Sequence, residues 1–392
     1  MSAYDVAIVG ARAAGAATAL LLARAGHRVL VVDRARYGSD TLSTHALVRG
    51  GVLQLDRWGL LDRVRAAGTP GADRVTFTYG DRAVPVDVDS TLYAPRRTVL
   101  DRILVDAARE AGAEIRFGVH VADVLRDDGG TVRGIVVRES RDGVSEIDAA
   151  ITVGADGRRS TIARVVDAPA TTTTAHSVAL SYGYWSGIDD RGFEWHFGSE
   201  VGAGVIPTND GLACVFVGTS PERFHRDLRP DPSGNFQRML GELPSDVAGR
   251  LAAGQRHGPL RGFLGLPGWL RRPFGEGWAL VGDAGSFKDP ITAHGLTDAL
   301  RDAELLARAI DDGLTGVTPM AAALAGYERV RDDLSLPVLE ITDAIASLDW
   351  TMSELQALHL DLSRAMKAEV RLLERLGDLP HRPHRRALAA VQ

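Results

Sequence analysis

The run Ala279-Leu-Val-Gly282-Asp283-Ala-Gly285-Ser-Phe-Lys288-Asp289-Pro290-Ile-Thr-Ala-His294-Gly295 lies well past the middle of the chain and decides how the rest is read. An apolar strand over Trp278–Val281 stops at a Gly-Asp pair. A turn fixed by Pro290 and Gly295 follows, and a helical period continues over Asp298–Ala309. This layout sets one carboxylate, Asp283, and a row of free backbone N–H groups at a helix start around one space. A polyol chain joined to an electron-poor ring would suit it. Taken alone, the same letters also describe a capped turn with no ligand.

Two further strand-turn-helix pieces stand upstream. Tyr4–Val9 reads as a buried strand, Gly10-Ala-Arg12-Ala-Ala14-Gly15 as a turn opening a helix to about Ala25, and Arg28–Val32 as a second strand ending at Asp33. In this β-α-β unit Gly10 permits the tight turn and Gly15, beside Ala14, lets helix and strand approach closely. A pyrophosphate would rest on the helix N-terminus. Asp33, 23 positions after Gly10, suits a ribose hydroxyl, and Arg34 and Arg36 follow it within reach of a phosphate. Arg12 stands where a middle glycine is usual, so its side chain must point away from the phosphates or lie across them. The other piece is Val153-Gly154-Ala155-Asp156-Gly157-Arg158-Arg159-Ser160, with Arg164 beyond. There Ser160 can cap the next helix, and Asp156 is either a ligand group or a turn former.

With 392 residues the chain has room for two or three domains or one large interleaved one. Hydrophobic residues at 45% and charged ones at 24% are ordinary for a globular protein, and a net charge of −6 argues against a nucleic-acid partner. The one cysteine, Cys214, excludes an intrachain disulfide and a cysteine metal site, which suits a reducing, cytoplasmic setting. The apolar run Ala13–Ala25 lacks a basic leader and is broken by Gly15, so export is not expected, and no apolar run is long enough for stable membrane insertion.

The fold class expected is α/β: a Rossmann-type domain interleaved with an antiparallel β-sheet domain, and a helical C-terminus. The first domain takes residues 1–72, 95–175 and 262–330. The second takes 73–94, an alternating hairpin turning at Gly80-Asp81, and 176–261, of which 222–260 reads as polar and loop-rich. Residues 331–392 hold C-terminal helices and the loose basic tail Pro380-His-Arg-Pro-His-Arg-Arg386. Gly51–Ala67 reads as one helix with Leu53, Trp58, Leu61 and Val64 on its apolar face, and Arg97–Gly112 as another, with Leu100, Leu104 and Ala107.

These motifs, in this order, resemble the p-hydroxybenzoate-hydroxylase-fold flavoproteins, which include aromatic monooxygenases, geranylgeranyl-reductase-like enzymes and flavin halogenases. Gly10, Gly15 and Asp33 match that family's N-terminal fingerprint, and Arg97 with Leu100 and Leu104 is similar to its arginine-led helix, which approaches the cofactor. Asp156-Gly157 with Ser160 and Arg164 resembles the family's "DG" motif. Gly282-Asp283 with Pro290, Gly295 and Leu296 resembles its "GD" motif, whose Asp binds the ribityl chain of the flavin. The resemblance spans roughly residues 1–330 and implies bound FAD, with NADPH or NADH as a transient reductant, since no second Gly-rich fingerprint exists. It departs from the pattern at Arg12, at Ala293 in place of a glycine, and at His294 where Gln is frequent.

Two histidines are candidate acid–base groups, because an unperturbed imidazole titrates near neutrality: His45 in Ser39-Asp-Thr-Leu-Ser-Thr-His45, and His294. Each also has a plain reading as part of a loop or turn, as has Lys288. Tyr182, Tyr184, Trp195 and Phe197, with Trp185, are candidates for lining an apolar substrate pocket, and equally for plain core. Alternation sets Trp195 and Phe197 on one face and His196 on the other. The histidines show no metal-ligand spacing, so no metal is expected.

The leading expectation is a single-component FAD monooxygenase that uses NAD(P)H and O2 to hydroxylate or epoxidise an aromatic or other electron-rich apolar small molecule, acting as monomer or homodimer. The arginine-rich, lysine-poor composition (only Lys288 and Lys367) hints at a GC-rich genome and secondary metabolism. The alternative is an FAD-dependent reductase of isoprenoid double bonds, which Trp195-His-Phe197 and Gly204-Val-Ile-Pro207 loosely resemble. A halogenase ranks lower because the Trp-x-Trp-x-Ile-Pro signature is absent. A non-catalytic flavin-binding protein is disfavoured by the intact Asp156 and Asp283 motifs.

Overall fold

The structure, a computed structural model, describes residues 3–138 and 143–382. In chain order, β1 (Tyr4–Val9), α1 (Ala13–Arg24) and β2 (Val29–Asp33) form the opening β-α-β unit. Two short helices, α2 (Arg49–Arg57) and α3 (Leu61–Ala66), lead to the hairpin β3 (Gly71–Tyr79) and β4 (Arg82–Tyr93). Helix α4 (Arg97–Glu110) returns to the first unit, followed by β5 (Glu114–Phe117), β6 (His120–Arg126), β7 (Val132–Arg138) and β8 (Val144–Gly154). After α5 (Thr161–Val165) and β9 (Ala170–Thr173) come β10 (Ala179–Ser186), β11 (Phe193–Phe197), β12 (Gly202–Thr208) and β13 (Leu212–Thr219). Helices α6 (Pro221–Arg223), α7 (Pro232–Leu240) and α8 (Val247–Ala253) precede β14 (Gln255–Phe263). Short strands β15 (Trp269–Arg271), β16 (Phe274–Gly275), β17 (Trp278–Leu280) and β18 (Ser286–Phe287) lead into the long helices α9 (Gly295–Thr315), α10 (Met320–Ala346) and α11 (Met352–Arg375).

The first sheet runs β16-β17-β8-β1-β2-β5, and from β17 to β5 every pairing is parallel. Helix α1 packs on it, and all its residues but Arg24 are buried. A helix apolar on every side must be enclosed, and α4 and α9 close over it. The second sheet runs β14-β10-β13-β12-β11-β3-β4. It is not purely antiparallel as expected: β3 and β11 pair in parallel, because the early hairpin enters the sheet beside a strand made much later in the chain.

Three other expectations change. The helix expected over Gly51–Ala67 is broken: Trp58 ends α2, and Gly59 takes a positive φ of 71° before α3 begins. Residues 222–260 are more regular than their polarity suggests, holding α6, α7, α8 and much of β14, whose residues Gln255–Phe263 form a sheet edge against β10. Trp185 faces away from the other candidate pocket aromatics and stacks on Phe236 of α7, with ring centroids 5.4 Å apart. The basic tail lies outside the described residues beyond Arg382, and Arg382 itself is anchored to Asp311 at 2.7 Å. Among the described residues, no helix is long and apolar enough to cross a membrane.

Candidate active site

The parallel strands β17, β8, β1 and β2 are neighbours, so Asp283, Asp156, Gly10 and Asp33 line one carboxyl-end edge of the sheet, where open α/β sheets bind ligands. The three turns touch where side chains are missing. A Cβ on Gly10 would lie 2.4 Å from the Ala155 carbonyl oxygen, and one on Gly282 2.9 Å from the Ala14 Cβ. A Cβ on Gly15 would lie 1.9 Å from the Gly10 carbonyl oxygen, which no relaxation of a turn could absorb. Gly10 and Gly282 also hold positive φ, at 107° and 60°.

Asp283 stands alone among the site's carboxylates. Among the described residues no hydrogen bond or ion pair engages it, and part of its surface stays open. Burial pushes its pKa up to about 6, against the pull of the Arg97 and Arg158 guanidinia. Asp33 instead accepts the N–H groups of Ala11 and Ala35, each at 2.7 Å, and so holds the first glycine turn to the second strand. A cleft beside it is lined by Ala11, Arg12, Asp33, Ala35, Arg36 and Asp101. Arg34 and Arg36 are exposed at its edge.

Arg12, the departure from the glycine pattern, becomes one wall of that cleft. Its guanidinium pairs with Asp101 at 3.0 Å and donates to the Ser39 carbonyl at 2.5 Å. Arg97 folds back onto the same Asp101, with contacts of 3.0 and 3.2 Å. Asp101 therefore orders both arginines, a role nothing in the sequence announced, since 89 positions separate it from Arg12.

Asp156 is engaged locally. It accepts the Thr161 N–H at 2.6 Å and the Ser160 hydroxyl, while Ser160 caps α5 by accepting the Ala163 N–H at 2.9 Å. Gly157 beside it has φ 77°, and a Cβ there would meet only open space. Past Asp283, the turn is tied to the second sheet by Asp289, which caps the Pro290 turn through the Ile291 N–H at 2.9 Å and accepts the Val178 N–H at 2.8 Å. Burial raises the Asp289 pKa to about 7. Ala293 takes a left-handed φ of 53°, the conformation a glycine holds without strain. Helix α9 starts at Gly295, earlier than the expected Asp298; Gly295 leaves open space at its N-terminus, and Leu296 is buried in the core.

His294 turns inward. Its ring nitrogens pair with Asp298 at 3.2 Å and Glu369 at 3.1 Å. Lys288 sits on Asp298 at 2.7 Å, and Arg301 reaches Asp298, Asp302 and Glu369 at 2.7, 2.7 and 3.1 Å. Burial opposes a charge on His294, but Glu369 and Asp298 outweigh it and push its pKa up to about 9. The ligand atoms of His294, Asp298 and Glu369 lie within 4.8 Å of one another, as a metal site requires. Lys288 and Arg301 already stand on those carboxylates where a cation would go.

His45 lies within electrostatic reach of Arg97, which also acts on Asp283. It holds φ 71° and is 1% exposed. Its Nε2 meets the Tyr184 hydroxyl at 2.6 Å, and its Nδ1 is buried without a partner. Burial, helped by Arg97, drives its pKa down to about 3. Tyr182, Tyr184, Trp195 and Phe197 share one face of the second sheet and one buried cluster with Phe216 and Cys214. Only the tyrosine end meets the His45 loop, where the Tyr182 hydroxyl accepts the Ser43 N–H at 3.2 Å. The other end lies under α11, with His359 5.0 Å from the Phe197 ring.

Residues 3–233 match the model of the family described as "FAD binding domain". The chain belongs to that family. Its fold is the p-hydroxybenzoate-hydroxylase-like one. This family member is 31% identical over 309 residues to digeranylgeranylglycerophospholipid reductase 1 of Methanopyrus kandleri, covering 76% of this chain and 77% of that protein. It is 30% identical over 346 residues to menaquinone reductase of Mycolicibacterium smegmatis, covering 81% and 78%. In fold it is similar to the flavin-dependent brominase Bmp2 (TM-score 0.79, 18% identity, 94% and 93% covered) and to PqsL, a probable FAD-dependent monooxygenase from Pseudomonas aeruginosa (TM-score 0.77, 21%, 93% and 99% covered).

Proposed function

We propose that this FAD-dependent oxidoreductase reduces double bonds of an apolar, isoprenoid-type molecule lying against the aromatic face of the second sheet. The observation that carries the cofactor half is the unpaired Asp283 beside two glycine turns that admit no side chain. Asp283 would take the ribityl hydroxyls, the N-terminus of α1 the pyrophosphate, and Asp33 the ribose through lone pairs its backbone donors leave free. Bound FAD supplies two-electron chemistry; the chain positions it, excludes water and orients the substrate. NADPH or NADH would reduce it transiently. What supports the reductase reading is the two relatives of about 30% identity, both named as reductases, each matched along more than three quarters of this chain.

Oxygen transfer is the second reading. It is favoured by a face built to exclude water, with Tyr182 1%, Phe197 3% and Tyr184 4% exposed. A geranylgeranylated substrate assayed with NADPH under nitrogen separates the two. Turnover without O2 supports the reductase, and a strict need for O2 moves the assignment to the monooxygenase. For the cofactor, Asp283→Ala is expected to purify without a stoichiometric flavin complement. Yellow, fully loaded protein from that variant would overturn the site.

A further inference from the structure

We infer that the substrate's apolar body ends in a hydrogen-bond-accepting oxygen, a carbonyl, quinone or carboxylate group, held by His45 and Arg96 beside Tyr184. The inference rests on the reading of the aromatic face as the substrate wall. It starts from two buried polar atoms without partners, His45 Nδ1 and Arg96 Nε. Both flank one ring: the His45 imidazole stacks on Tyr184 with centroids 5.7 Å apart, and the Arg96 guanidinium lies 4.3 Å over the Tyr184 centroid.

The tautomer of His45 follows from counting protons. Burial keeps the imidazole neutral and the Tyr184 hydroxyl protonated. If Tyr184 donates to Nε2 across the 2.6 Å contact, Nδ1 carries the hydrogen and one donor is left unmet. If Nε2 donates instead, the Tyr184 hydrogen and the Nδ1 lone pair both lack partners among the described residues. The first arrangement leaves fewer buried groups unsatisfied and is the stable one. Both unpaired atoms are then donors.

Arg96 is held loosely: it shares the part-buried Asp40, 3.5 Å away, with Arg261, which lies at 2.7 Å. The further contact of Arg96, to the exposed Asp210, is 3.8 Å long. Unmet donors at the end of an apolar wall fit an acceptor oxygen. His45 is also held at a φ of 71°, a conformation uncommon outside glycine.

The test uses FAD-loaded protein and two probes of one shape, 2-methyl-1,4-naphthoquinone and 2-methylnaphthalene, titrated against the flavin absorbance. The quinone is expected to bind at least about tenfold tighter, because the hydrocarbon leaves the donors unmet. Tyr184→Phe, which frees the His45 tautomer, and Arg96→Met should each bring that preference below about threefold while hydrocarbon binding and flavin content hold. Equal affinities, no binding of either probe, or variants that lose both probes alike overturn the oxygen contact. Wild-type protein that retains no FAD would count instead against the cofactor site, so the two failures are distinct.

Discussion

His45 and His294 are both buried, and they end in opposite states. His45 sits in a loop with strained backbone, its ring paired with a tyrosine hydroxyl; the pull of the part-buried Asp40 does not offset burial and Arg97, and it is held neutral with a pKa driven down to about 3. His294 sits at a helix start between two carboxylates, and it is held charged with a pKa pushed up to about 9. Both are 1% exposed, so burial alone does not choose the charge. What chooses it is whether a carboxylate was buried with the ring. His45 meets a neutral tyrosine hydroxyl; His294, with Lys288 and Arg301, joins the ion network that locks α9 to α11.

The comparison breaks most sharply at Arg301. That side chain touches Asp298, Asp302 and Glu369, all buried. Arg301→Met should cost about 3–5 kcal/mol of stability, since removing one member of a buried ion network leaves the others uncompensated. Denaturant unfolding of the purified variant measures it. A loss below about 1 kcal/mol would mean that the network is solvated and that the contrast with His45 is wrong.

Titration separates the two histidines by sign. The contribution of His294 is complete below 6.5, its ordinary pKa, and is lost as pH rises through about 9. By linkage that is roughly 3 kcal/mol. The contribution of His45 runs the other way: it is complete above 6.5 and is lost as pH falls toward about 3. Urea midpoints at about pH 7 and about pH 10 should therefore differ in wild type and draw together in His294→Gln, which leaves the acid limb in place. An alkaline limb unchanged by His294→Gln would assign it to other groups.

What was legible in the sequence was local. Gly10, Gly15 and Asp33, the Asp156-to-Ser160 cap and the Gly282-Asp283 turn are each a strand-turn-helix pattern complete within a few residues, and the sheet order brings their ends together. The rest depends on pairs far apart in the chain. Arg12 finds Asp101, His45 finds Tyr184 139 positions away, and Glu369 crosses from α11 to His294. No spacing rule reports such pairs, because packing of whole elements decides them. The same cause hid the parallel β3–β11 pairing, whereas the opposite facing of Trp185 follows from strand alternation next to Tyr184.

The smallest effect isolates the backbone of His45 from its ring. His45→Ala and His45→Gly both lose the contact to Tyr184 and the stacked imidazole, so their difference reports only a Cβ on a backbone at φ 71°. A left-handed alanine costs more than a left-handed glycine by about 1–2 kcal/mol in the folded state. The floppier unfolded chain of the glycine variant offsets about 0.4–1 kcal/mol of that. The glycine variant should therefore be the more stable by up to about 1.6 kcal/mol, read as a shift in denaturant midpoint at constant slope. An alanine variant of greater stability would mean that the loop relaxes once the ring is gone. The ring's contact with Tyr184, and not the chain, would then be what holds His45 in its strained conformation.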